Sequence, residues 1–217
     1  DLMYALPGES INDLKMDLEI IKKLDVTHIS TYALIIEDHT NLKLQNIKET
    51  RDDIQNKMYY LIVDYLKNNG YNHYELSNFA KENYESRHNL TYWNNDNYYG
   101  FGAGASGFID NIRYDNTKSV FKYNYGKTGV YEEKLSLNEL MKDEVMLSLR
   151  KINGINKNAF YKKYNVLLED AFDYKKLIRN NFLTETSKNV YINENELFVS
   201  NEIIIMFLNS YLLEQKR

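Results

Sequence analysis

A chain of 217 residues, 43% of them hydrophobic and 27% charged, has the make-up of a globular protein: one domain of ordinary size plus a smaller appendage. Its net charge of −4 gives no basic footprint for nucleic acid, and the absence of cysteine excludes disulfides, thiolate metal sites and cysteine nucleophiles within it. The longest apolar run, Ile203 to Leu208, is far too short to span a bilayer, and the lack of cysteine fits a reducing, cytoplasmic setting.

Asp1 to Leu6 is a short, mostly apolar run closed by Pro7-Gly8, the pattern of a buried strand and its turn. Because the chain opens inside this strand, a missing upstream segment is expected. Ser10 and Asp13 stand at capping distance before Ile11, Leu14, Leu18, Ile21 and Leu24, which give one apolar helix face. His28 to Ile36 is β-rich, so strand, helix and strand form a βαβ unit with parallel neighbours. Glu37 to Lys48 reads as a loop or lid. A long helix follows from Thr50 to Asn68, with Ile54, Met58, Leu61, Ile62, Tyr65 and Leu66 on one face, and Asn69-Gly70 ends it. Tyr71 to Leu76 reads as a further strand and a second crossover, Ser77 to Ser86 as polar loop, and Ile109 to Tyr114 as a strand at the sheet margin.

The composition changes near Asn116. Beyond it, Ser136 and Glu139 make a capping box for a helix over Leu137 to Arg150. Asn158 to Tyr164 and Tyr174 to Asn180 read as short helices. Phe182 to Thr184, Val190 to Ile192 and Leu197 to Val199 suggest a small hairpin turning at Asn193-Glu194-Asn195, and a last helix is expected from Asn201 to Glu214. Helices followed by a hairpin outline a winged-helix unit. The helix in the recognition position, Tyr174 to Asn180, carries only Lys175, Lys176 and Arg179, so the unit reads as a docking or lid module without nucleic acid.

The stretch that stands out is Arg87 to Trp93 with Tyr98 to Phe108. It holds the only Trp and four of the nine glycines. A His with aromatic neighbours suits a flat, partly apolar ligand, and glycines let a ligand or another backbone approach closely. The plainer alternative is that His88 and Trp93 seal a domain edge. Gly102, Gly104 and Gly107 fit G-x-G-x-x-G, but the residues after them are strand-like, so a dinucleotide site is not expected. Asp1 is a charge at a strand start, facing a site or simply solvated. Glu75, inside a strand, needs a partner such as Arg87. His28, His39 and His73 show no metal-ligand spacing.

Four stretches together resemble one family: Asp1 to Gly8, Tyr74 to Ala80, Ser86 to Trp93 and Gly100 to Ala105. Their order and spacing are similar to those of the HemW group, radical-SAM proteins related to oxygen-independent coproporphyrinogen III oxidase. His-Asn-x-x-Tyr-Trp in particular marks the haem-chaperone group. The resemblance implies an α/β fold: the C-terminal part of a partial (β/α) radical-SAM barrel over residues 1–116, then a small helical, winged-helix-like domain over 117–217. It also implies a Cys-x3-Cys-x2-Cys motif for a 4Fe–4S cluster in an N-terminal half that this chain lacks, so the chain alone is not expected to be catalytic. An opened barrel would leave an unpaired strand edge and poor solubility.

By the same resemblance, Asp1, Ile35 and Ser106 match contacts to S-adenosylmethionine. His88 matches the motif His linked to haem, with Asn89, Tyr92 and Trp93 as companions. The implied partners are haem and a haem-acceptor protein, membrane-associated in one version, with a homodimer of the parent left open. Two stretches depart from the family: Ala5 replaces a glycine, and Ala103, Ser106 and Gly107 interrupt Gly-Pro-Gly-Ala-His-Ser. The expected function is haem delivery. The alternatives are radical decarboxylation of coproporphyrinogen III and a cluster-free docking module.

Overall fold

A computed structural model of the chain describes residues 1–213, the side chain of Val130 excepted. It divides by contact into two compact units, Asp1–Ser86 and the residues from Arg87 onward.

The first unit begins with β1 (Leu2–Tyr4), α1 (Ile11–Leu24) and β2 (His28–Ala33), and β1 and β2 pair in parallel as expected of βαβ. The helix starts where Ser10 Oγ accepts from Asp13 N while Asp13 Oδ2 accepts from Ser10 N, and it buries Leu14 and Leu18. Leu24, expected on that face, is 64% exposed, because Asp25 turns the chain into the left-handed region just after it. Within the expected loop lies one turn of helix, α2 (Asn41–Leu44), and α3 (Asp52–Asn68) then buries Met58, Ile62 and Leu66 together with Tyr59 and Val63.

The end of the sheet differs from expectation. β3 (Asn72–Glu75) folds straight back into β4 (Asn78–Ala80), which inserts antiparallel between β2 and β3 and gives the order β1-β2-β4-β3. Asn78-Phe79-Ala80 looks like polar loop in sequence, yet all three residues are buried. The polar one is satisfied: Ser30 Oγ donates to Asn78 Oδ1 at 2.6 Å, and Asn78 Nδ2 donates to Glu75. Glu75, 2% exposed, also accepts from Ser77 N at 3.1 Å, so the β3–β4 turn supplies it with partners.

The second unit opens with α4 (Arg87–Trp93) and a three-stranded antiparallel sheet of β5 (Ser106–Ile109), β6 (Ile112–Asn116) and β7 (Gly129–Lys134), with α5 (Val120–Asn124) between the last two. The expected marginal strand over Ile109 to Tyr114 is therefore a hairpin of its own, turning at Asp110 and Asn111, both at positive φ, the geometry of a two-residue hairpin turn. The composition change near Asn116 falls inside this unit, because β6 and β7 pair across it.

Next come α6 (Leu137–Ser148), β8 (Ile155–Asn156), α7 (Lys157–Tyr164), α8 (Leu168–Ala171), α9 (Lys175–Arg179), β9 (Leu183–Glu185), β10 (Asn189–Ile192), a 3-10 turn (Glu194–Val199) and α10 (Ser200–Leu208). Three short strands in the order β8-β10-β9 beside short helices give the expected winged-helix-like outline. The hairpin turns at Thr186 to Lys188 and not at Asn193 to Asn195: Thr186 Oγ1 accepts from Asn189 N at 2.9 Å, and Leu197 to Val199 are helical. α10 stops at Leu208 because the chain turns to bond back, with Leu212 N donating to Ala171 O and Asp173 N to Ser210 O. Glu214, the expected helix end, lies outside the described residues. Phe160, Phe172, Phe207, Met141 and Leu149 form the core, with Tyr174 stacked on Phe207. Among the described residues no helix is long and apolar enough to cross a membrane.

Candidate functional site

The His-Asn-x-x-Tyr-Trp motif folds as α4, and helical spacing sorts its residues into faces. His88 and Tyr92 share one: their rings meet edge to face at 4.9 Å, and Tyr92 in turn meets Tyr98 at 4.6 Å. His88 is exposed, so its imidazole is open to solvent beside an aromatic wall. Asn89 and Trp93 share the adjoining face. The Arg150 guanidinium lies over the Trp93 indole at 5.4 Å, and indole Nε1 is buried without a hydrogen-bond partner.

The helix is held from its C-terminal end, where sequence reasoning assigned nothing. Lys151 Nζ donates to Asn94 Oδ1 at 2.7 Å, and Lys163 Nζ donates to Asn95 O at 3.0 Å and to Glu144 Oε2 at 2.7 Å. Tyr164 Oη donates to Glu144 Oε2 at 3.0 Å; burial, and then the Glu144 charge, raise that hydroxyl well above its ordinary range, so it is a neutral donor. Burial also lowers the Lys151 ammonium. No motif flags these residues, since they come from α6, α7 and the turn after α6.

Two of the glycines of 100–107, Gly100 and Gly107, serve the chain's own packing. A Cβ on Gly107 would run into the Tyr114 ring, and one on Gly100 into the Ser106 carbonyl. Gly100 N and Gly102 N donate to Tyr114 Oη and Tyr123 Oη, each at 2.9 Å. Gly107 lies within β5 and opens no helix, so the G-x-G-x-x-G spacing has none of the dinucleotide context.

Of the residues matched to S-adenosylmethionine contacts, Ser106 is exposed and donates to Asp115 Oδ1 at 2.5 Å. Asp1 and Ile35, both exposed, are in the first unit. Leu2 pairs with Thr31 and Tyr4 with Ala33, so Asp1 precedes the first rung of the β1–β2 ladder and Ile35 lies beyond the last. One ligand touching both would have to run the length of the ladder. Two of the other histidines make structural contacts: His28 Nε2 pairs with Tyr74 Oη at 2.8 Å, and His73 stacks on Phe79 at 4.2 Å. Among the described residues no cluster of three His, Asp or Glu could hold a metal ion.

The fold is that of the HemN-type radical SAM proteins. The chain is similar to the structure of coproporphyrinogen III oxidase (HemN) from Escherichia coli, a radical SAM enzyme, with a TM-score of 0.75 at 15% identity over 94% of this chain and 53% of that one. Residues 135–199 match the family described as HemN C-terminal domain. In sequence the chain is similar to heme chaperone HemW of Lactococcus lactis, 36% identical over 96% of this chain and 57% of the relative. HemW of Bacillus subtilis is 33% identical over 96% of this chain and 58% of its own length. The chain is thus a relative of the HemW proteins over nearly all of its own length, and it spans about half the length of the curated relatives it matches.

Proposed function

We propose that this chain forms the haem-receiving part of a HemW-type haem chaperone, which holds haem and passes it to an acceptor protein. The observation that carries this reading is the exposed imidazole of His88 beside the Tyr92 and Tyr98 rings, on the helix formed by the family's motif. The imidazole suits iron, and the rings suit the flat apolar face of a porphyrin. In this reading Asn89 orients the motif and Trp93 packs it. Changing His88→Ala in the intact protein should abolish the haem Soret band on titration with hemin. An unchanged band would remove His88 from the mechanism.

We further propose that Asp1, Ile35 and Ser106 contact S-adenosylmethionine, residues 1–116 supplying the end of a barrel and 117–217 an accessory domain. A 4Fe–4S cluster does not fit the residues present, since the chain has no cysteine. Any cluster ligands are placed outside this stretch, in the intact cytoplasmic protein. The acceptor is a protein of haem metabolism, at the membrane in one version. The likeness to the HemN fold favours a second reading, oxidative decarboxylation of coproporphyrinogen III. An anaerobic assay for protoporphyrinogen separates the two: the chaperone reading expects none.

A further inference from the structure

We infer that Lys151, Lys163 and Glu144, from the region matching the HemN C-terminal domain, are positioning residues that hold α4 in the pose haem binding at His88 requires; this rests on the haem reading above.

A helix of seven residues cannot hold itself in water, because nucleation is unfavourable and one or two turns return few hydrogen bonds. Its last carbonyls depend on the turn that follows: Asn94 N donates to Leu90 O, Asn95 N to Tyr92 O and Asp96 N to Thr91 O. Here the chain leaves α4 through Asn95, at φ +52 and 8% exposed, and this left-handed turn directs the Asn95 carbonyl to the Lys163 ammonium. Lys163 is steadied in turn by Glu144, whose side chain is only 13% exposed and also accepts from Tyr164. Lys151 holds the neighbouring Asn94 side chain, and Arg150 covers Trp93.

Two ammonium groups at a helix C-terminus complement the negative end of its dipole, and partial burial strengthens both contacts. The bonds by which these lysines grip α4 reach Asn94 and Asn95, just past the end of the helix far from His88, so their effect on a ligand there would pass through the helix. If they let go, α4 is free to turn or fray, and the His88–Tyr92 face turns with it.

The test titrates the intact protein with hemin and reads affinity, Soret maximum, melting temperature and amide exchange over 90–96. The variants are Lys163→Met, Lys151→Met, their double, Lys163→Arg, His88→Ala, and Lys162→Met on the exposed neighbour as a control. Removing both ammonium groups should weaken hemin binding at least about tenfold, as loss of an outer-shell support typically does. It should also shift the Soret maximum and speed exchange over 90–96. Lys163→Arg should restore the spectrum that Lys163→Met loses, and Lys162→Met should change nothing. If the double variant loses its cooperative melt, the single variants carry the comparison. Wild-type hemin affinity and spectrum in the lysine variants, with the band lost in His88→Ala, would overturn the positioning role and leave the haem reading standing. An unchanged band in His88→Ala would overturn the haem reading, and this role with it.

Discussion

Gly107 has no side chain because Tyr114 occupies the space where one would stand. The two are cross-strand partners in the β5–β6 hairpin, and the tyrosine folds over the glycine far enough for its hydroxyl to accept from Gly100 N. Adding a methyl group there must displace the ring and break that bond. Gly107→Ala should therefore cost about 1–3 kcal/mol in urea unfolding, the range for overpacking a filled site. In a Tyr114→Ala background most of that cost should vanish. A cost that stays the same without the ring would show that something else limits the position. The glycine density was legible in sequence, but its reason was not, because nothing in a linear string says which residue lies across a hairpin. His88, Tyr92 and Trp93 were legible as a motif. Lys151 and Lys163 were not, since surface lysines carry no pattern until the fold brings them to a helix end.

At the scale of elements, the helices that begin with a capping box were read correctly from their first four residues. Glu139 is held below its ordinary carboxylate range by the Ser136 hydroxyl first and then by the Ser136 backbone N–H, and Asp13 of α1 is held the same way by Ser10. A depressed folded-state pKa stabilises the fold above the unfolded-state value, and that support is lost as pH falls through the folded-state value. The melting temperature of Glu139→Gln should thus lie below wild type at neutral pH, and the gap should close in acid below the ordinary glutamate range. A gap independent of pH would mean that the carboxylate's charge contributes nothing. Short strands are a different matter. β4 is three residues long and has a polar first residue, so no periodicity can emerge in it. What makes it a central strand is the set of partners on both sides, Ser30 and Glu75, which satisfy Asn78 in the interior.

For the whole molecule, β1 is the edge of the order β1-β2-β4-β3, with Leu2 and Tyr4 buried and Met3 51% exposed. A strand with one paired side and an apolar residue facing outward is a template for association. The 217-residue chain should self-associate through this edge, and Met3→Lys should raise its monomeric fraction in light scattering. A chain that is already monodisperse and monomeric would count against the edge as an association site. The units also show why composition is a poor guide to compactness. The shift near Asn116 is real, but β6 and β7 pair across it and α4 packs on α6, so residues from Arg87 on cohere with the C-terminal region.

By itself the sequence determined the resemblance to the HemW proteins, the βαβ start, the capped helices and the absence of any cysteine-held cluster in this stretch. Each of these depends on neighbours a few residues apart or on residue identity alone. Tertiary structure decided the inserted strand β4, the hairpin turning at Thr186 to Lys188, the role of the glycines, and the lysine grip on α4. Those depend on contacts between residues distant in the chain, where a polar residue is tolerable or a glycine necessary only because of what folding places beside it.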